Sequence, residues 1–168
     1  MNYTIGDNVL ISSKNFGDPD DGAMKTGGQD VEIDGEIFDF EFEDSGSLKG
    51  SGVMGEHDHR LYNAGKMVKA DSDDKYKVAA YDEATGFTVT MDTDDFLDRA
   101  VDKTYNEEDE EIIWTFDNQD DIDDDGQILY YLVSTSGSMV KDKSSAKDGE
   151  DYEFEVEDYL IKSVTLED

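Results

Sequence analysis

Between Gln29 and Asp44 the chain reads QDVEIDGEIFDFEFED, and this alternation of acids with apolar residues points to a hairpin of two β-strands. Successive side chains of a strand point to opposite faces, and Asp-Gly is a favoured two-residue hairpin turn. Pairing about Asp34-Gly35 sets Ile33 opposite Glu36 and Val31 opposite Phe38. One face then carries Val31, Ile33, Phe38, Phe40 and Phe42, with Glu36 at its turn end. The other carries Asp30, Glu32, Asp39, Glu41 and Glu43, with Ile37 alone among them. Like charges directly opposite each other destabilise a sheet, so a ladder of carboxylates is an odd choice for stability alone. Near the other end of the sequence, DYEFEVED repeats the design, with Tyr152, Phe154 and Val156 alternating with Glu153, Glu155 and Glu157.

The remaining pattern extends the β character. Tyr3, Ile5, Val9 and Ile11 alternate loosely, and a first strand is expected over 8–12. Tyr76, Val78 and Ala80 alternate in one segment and Phe87, Val89 and Met91 in the next, and DEATG between them suits a hairpin loop. Thr93 is expected to cap a helix over about 93–105, with Asp94 and Asp95 in its first turn and an apolar stripe of Phe96, Leu97, Ala100, Val101 and Thr104. Strands follow at 111–117 and 127–134, expected to pair as a hairpin with a long acidic loop, and the last pair runs through 152–166. Stretches rich in Gly, Ser, Asp and Lys read as mobile loops at about 13–28, 45–60 and 135–150. The expectation is one acidic, mainly β (α+β) domain over 1–168, a twisted antiparallel sheet or barrel of seven to nine strands with one packed helix.

A net charge of −31, from 45 acids against 14 Lys and Arg, repels nucleic acid and anionic membrane, so neither is an expected direct partner. Cations and basic protein surfaces are. The chain has no Cys and so needs no oxidising compartment. No stretch reads as a signal peptide or a bilayer span, and a cytoplasmic location is expected, that of the host if a phage encodes the chain. Twelve Lys against two Arg suit an AT-rich genome, such as a phage or low-GC bacterium, better than a halophile, although a halophilic structural protein is a third possible reading.

The densest acidity lies at 107–126, EEDEEIIWTFDNQDDIDDDG, which holds eleven carboxylates and no Lys or Arg around a short apolar strand. Asp121, Asp123, Asp125 and Gly126 match the first half of a calcium loop of the EF-hand type, and Gln127 can offer its backbone carbonyl. Leu132 stands where that loop requires a bidentate Glu, and the flanks read as strands, so calcium is an alternative cofactor reading and not the leading one. His57 and His59, with Glu56 and Asp58, have the spacing of two metal ligands on one strand face, but a polar loop is the better reading. No nucleophile elbow, phosphate-cradling loop or zinc motif is present in the sequence, and no catalysis or catalytic residue is expected.

The acid pattern itself is the strongest signal. Duplex DNA carries one negative charge per roughly 1.7 Å of axis, and a strand with acids at alternate positions carries one per roughly 6.7 Å. Two or three such rows on neighbouring strands approach the charge density of a phosphate backbone. In size, acidity and lack of catalytic motifs the chain resembles DNA-mimic inhibitors, many of them phage proteins directed against restriction or other defence systems. The resemblance implies a non-catalytic protein that occupies the basic surface of a nucleic-acid enzyme. The residues expected to contact the partner are Glu32, Asp39, Glu41 and Glu43; Glu107, Glu108, Asp109, Glu110 and Glu111; Asp120, Asp121, Asp123, Asp124 and Asp125; and Glu153, Glu155 and Glu157.

Overall fold

The Asp34-Gly35 turn takes positive φ at both residues, 54° and 89°, which is the conformation that matches the twist of the strands it joins. It connects β3 (Gly27–Ile33) to β4 (Glu36–Phe42) in the register its sequence predicts, with Ile33 opposite Glu36 and Val31 opposite Phe38. This structure, a computed structural model, describes residues 2–5, 9–12, 25–116, 127–149 and 151–166. The protein is mostly β, and every strand pair among the described residues is antiparallel. The chain forms two compact units, Met1–Met67 and Val68–Asp168.

In the first unit β1 (Asn2–Ile5) and β2 (Val9–Ser12) pair as a separate hairpin. A five-stranded sheet follows, in the order β3-β4-β7-β6-β5, where β5 is Gly55–His57, β6 is Arg60–Asn63 and β7 is Lys66–Met67. Phe40 and Phe42 are buried with their rings stacked 5.8 Å apart, and Val31, Ile33 and Phe38 pack against them. The stretch 45–60, expected as a loop, is instead tied to the sheet. Glu43 N–H donates to Ser51 O (2.8 Å), Val53 N–H to Glu41 O (2.9 Å), and Phe42 bridges Gly52. Backbone hydrogen bonding, which side-chain pattern does not report, holds this Gly/Ser-rich run in place. It forces two backbones together: a Cβ on Gly52 would lie 2.2 Å from the carbonyl oxygen of Ala64.

The second unit holds an eight-stranded sheet. Its elements are β8 (Tyr76–Asp82), β9 (Thr88–Met91), β10 (Asp102–Asn106), β11 (Glu111–Thr115), β12 (Ile128–Ser134), β13 (Lys143–Lys147), β14 (Tyr152–Glu157) and β15 (Leu160–Leu166). The order runs β10-β11-β15-β12-β8-β9, with β14 on β15 and β13 on β14. The expected hairpin of the 111–117 and 127–134 strands does not form. Both strands pair with β15, β11 through Ile112–Thr115 and β12 at Tyr131. The expected loop at 135–150 contains β13, whose Lys and Ser residues carry no apolar alternation; only Ala146 reaches the core.

The helix is also shorter than expected. It spans Thr93–Leu97, Asp92 rather than Thr93 is its N-cap, and no side-chain cap bond forms. Five residues cannot sustain a helix alone, and the chain is drawn into strand pairing: Val101 N–H donates to Thr115 O (2.9 Å), and β10 follows. The stripe persists through Phe96, Leu97 and Ala100, while Val101 and Thr104 turn outward. Phe96 is the helix's anchor, stacked 4.1 Å from Phe116 and tilted against Tyr130 at 5.1 Å. Around these rings pack Val78, Trp114, Leu132, Phe154, Val156, Ile161 and Val164.

One irregularity sets the shape of that core. Glu155 pairs with Ser163 but Val156 pairs with Ile161, so Lys162 is an extra residue in β15. The bulge shifts the alternation by one, and Ile161 and Val164 therefore both face inward, fully buried. The carbonyl of Lys162 accepts from Phe116 N–H (2.9 Å).

The Gly52 crossing is the point in the first unit least tolerant of change. Gly52→Ala is expected to destabilise it by about 3 kcal/mol or more, since the clash is with backbone that cannot rotate away. Gly46→Ala, at φ 71° with open space around it, should cost only about 1 kcal/mol. Urea unfolding of both variants followed by circular dichroism compares them.

Candidate functional site

The outer face of the β3–β4 hairpin carries the first acidic ladder. Asp30 sits directly opposite Asp39, Gly28 opposite Glu41, and Glu32 opposite Ile37. Asp30 and Glu32 are exposed, while Asp39, Glu41 and Glu43 are half-buried. Beside Gly28 a carboxylate oxygen of Glu41 lies 3.4 Å from where a Cβ would stand, an ordinary contact distance. On the same face, in the row that runs from Asp39 through Met67, Tyr62 is buried, and its hydroxyl is pushed to a higher pKa by burial first and then by the charge of Glu41, with Asp58 and Asp39 adding and Arg60 opposing. The phenol stays neutral among carboxylates. Lys66 lies over the Phe38 ring, 3.9 Å from its centroid.

In the second unit the strands β14, β15, β11 and β10 lie side by side, and pairing brings two acidic blocks onto one face. Glu155, Ser163, Thr115 and Asp102 form one row across the four strands, and Glu153, Thr165, Ile113 and Thr104 the next. Glu111 continues that face on β11, two residues from Ile113. At roughly 4.8 Å per strand, Glu153 stands about 10 Å from the β11 backbone. Glu107, Glu108, Asp109 and Glu110 form the exposed turn of the β10–β11 hairpin. Asn106 orders that turn: its amide donates to Asp109 (2.7 Å), and its oxygen accepts from Glu108 N–H (3.1 Å). Glu110 adopts φ 57° to complete it.

These rows are partly neutralised from within. Lys147 of β13 stands opposite Glu153 with its ammonium 3.5 Å away. Ser163 donates its hydroxyl to Glu155 (2.8 Å). Glu157 is exposed.

A third concentration of acids has no motif in the sequence. Hairpin β8–β9 and the short helix gather Asp74, Asp92 and Asp94 with Asp148 around Lys77 and Tyr152. Lys77 bonds Asp74 at 3.4 Å and Asp92 more closely, and the Asp92 hydrogen bond is the main cause of its raised pKa. Tyr152 donates its hydroxyl to Asp94 (2.8 Å), and that bond, ahead of burial, raises the phenol pKa to about 12. The carboxylates come from separate segments of sequence, so only folding reveals them as neighbours.

Other sequence candidates fare differently. Asp120, Asp121, Asp123, Asp124 and Asp125 lie outside the described residues. Gln127 is described, and its carbonyl accepts from Glu83 N–H (3.1 Å). His57 ends β5, whereas His59 falls in the two-residue turn Asp58-His59, where φ is 51° and 58°, so the two rings do not share one strand face. His59 N–H donates to Glu56 (2.8 Å). Among the described residues no three His, Asp or Glu are placed to hold a metal, and no helix is long and apolar enough to cross a membrane. The chain matches no family model, no curated protein and no solved structure.

The Tyr152–Asp94 bond has a titration signature. A phenol whose pKa rises on folding favours the native state fully below its unfolded value near 10, and that contribution is lost as pH climbs towards 12. Absorbance titration at alkaline pH should therefore show late-ionising tyrosine, and Tyr152→Phe should remove that phase and flatten the fall in stability over the same window. An unchanged titration in the variant would show that the bond does not form.

Proposed function

We propose that this chain is a non-catalytic DNA mimic, which binds the basic nucleic-acid-binding surface of a DNA-processing or defence enzyme of the restriction or CRISPR type and blocks it. A phage is the source we propose. The observation that carries the proposal is the placement of carboxylates in rows on the outer faces of sheets whose inner faces are packed. Asp30 opposite Asp39 is a repulsive pair that a sheet built only for stability avoids. Glu153, Glu155 and Glu157 stand on β14 opposite the buried Phe154 and Val156. Rows fixed on strands keep their spacing, as phosphates do on a duplex, whereas acids on a flexible tail do not.

The partner's Lys and Arg, placed to neutralise phosphates, would meet these carboxylates instead. Such binding releases counterions and is therefore steeply salt-dependent. Distribution of the field over many groups makes it robust to single changes: loss of one exposed charge alters binding by a fraction of a kcal/mol to about 1 kcal/mol.

The test is capture of lysate proteins on the immobilised chain, elution with a salt gradient and identification by mass spectrometry. The expected result is one dominant nucleic-acid enzyme, displaced by duplex DNA. Single Glu→Gln changes should leave its elution salt nearly unchanged, whereas Asp39→Lys, Glu41→Lys, Glu155→Lys and Glu157→Lys combined should abolish capture. Retained capture by that quadruple variant would refute electrostatic mimicry.

A further inference from the structure

β9 ends the eight-stranded sheet, and burial fades along its inner side. Met91 stands opposite Val78 and Val89 opposite Ala80, and Asp82 N–H donates to Phe87 O, so Phe87, Val89 and Met91 share the face that carries Val78 into the core. Val78 is buried and Met91 packs on the core, but Val89 is 53% exposed and Phe87 48%. An apolar strip thus runs from the core out into solvent. Beside it opens a groove of about 680 Å³, with Val89 and Met91 in its wall along with Asp71, Asp92, Asp95 and Asp98.

The two cations of the groove are already engaged. Lys77 bonds Asp74 and Asp92, and Arg99 donates to the Tyr130 hydroxyl (3.2 Å). Among the described residues no cation pairs with Asp71, Asp95 or Asp98. A surface that only imitates phosphates has no need of exposed Phe87 and Val89. A second copy of this chain brings a charge of −31 to the groove and is repelled. Charge complementarity selects a basic occupant, and the strip selects one with an apolar side.

We propose that the strip of Phe87 and Val89, with the adjoining Asp95 and Asp98, docks a cationic amphipathic segment of the partner protein. The proposal rests on the partner being basic and adds a site with its own chemistry. Apolar residues of the segment cover Phe87 and Val89 while its Lys or Arg side chains reach Asp95 and Asp98.

Two labelled probes separate this site from the charge rows: a synthetic amphipathic peptide of leucine and lysine, and an oligolysine of the same charge, each followed by fluorescence anisotropy at moderate salt. Burial of two apolar side chains predicts at least about tenfold tighter binding of the amphipathic peptide. Phe87→Ser with Val89→Ser should erase that margin and leave oligolysine binding unchanged, while Asp95→Lys with Asp98→Lys should weaken the amphipathic peptide further than oligolysine. Should the double serine variant unfold earlier in urea than the parent, Val89→Thr, which keeps the side-chain shape, repeats the test. Equal affinity for the two probes, or an undiminished margin in the serine variant, overturns the site. Loss of oligolysine binding in the quadruple charge-reversed variant alongside that result would leave the mimic intact. A dimer dissolved by the serine substitutions would assign the strip to a second copy and overturn the proposal.

Discussion

Burial of Phe154, Val156, Ile161 and Val164 on the inner side of β14 and β15 is what allows Glu153, Glu155 and Glu157 to stand in a row. Carboxylates at alternate positions repel one another, and in an unfolded chain they relax by moving apart. The apolar side chains between them cannot be buried unless the strand is extended, so packing fixes the spacing of the charges. Each fully buried aliphatic or aromatic side chain contributes on the order of 1.5–3 kcal/mol, more than an exposed like-charge contact costs. In the β3–β4 hairpin the same exchange operates, with the stacked Phe40 and Phe42 behind Asp39, Glu41 and Glu43.

The few cations of the chain are largely placed where they meet its own groups. Lys77 sits between Asp74 and Asp92, Lys147 meets Glu153, and Lys66 and Lys103 lie over the rings of Phe38 and Trp114. Lys103 stands opposite Trp114 in the β10–β11 register, so an edge strand rich in polar residues still shields an indole. With 45 acids to offset, these contacts leave the surface field almost undiminished. Salt screens such a field within about 10 Å at 0.1 M, so the fold itself should be firmer in salt.

What could be read from the sequence is what depends on side-chain alternation and on glycine. The β3–β4 register was legible because Asp34-Gly35 is a strong turn signal and the flanking residues alternate. Asp58-His59, Ala64-Gly65 and Asp158-Tyr159 make turns with the same positive φ at both residues, and two of them contain no glycine. Their backbone conformation is imposed by the strands they join, at a local cost of roughly 1–2 kcal/mol per residue, and nothing in the residue types announces it. β13 is silent in the sequence because an edge strand of Lys and Ser has no apolar period. The apolar spacing extends past the end of the helix because Val101 and Thr104 fall at helical intervals while the backbone beyond Ala100 pairs with β11. For the acid rows, the facing of each carboxylate was legible, but the company it keeps was not. Lys147 beside Glu153 and the gathering of Asp74, Asp92 and Asp94 around Lys77 both depend on long-range pairing.

The position of β15 bears on how this unit is assembled. Before that strand is synthesised, its neighbours can exist only as three ribbons: β10 with β11, β9 and β8 with β12, and β13 with β14. Short ribbons are marginal in water when they have nothing to pack against. β15 contacts all three, and Ile161 and Val164 enter the core only when it does. β15 thus joins the three ribbons through contacts distant in sequence, and a topology that rests on such contacts is a slow one to fold.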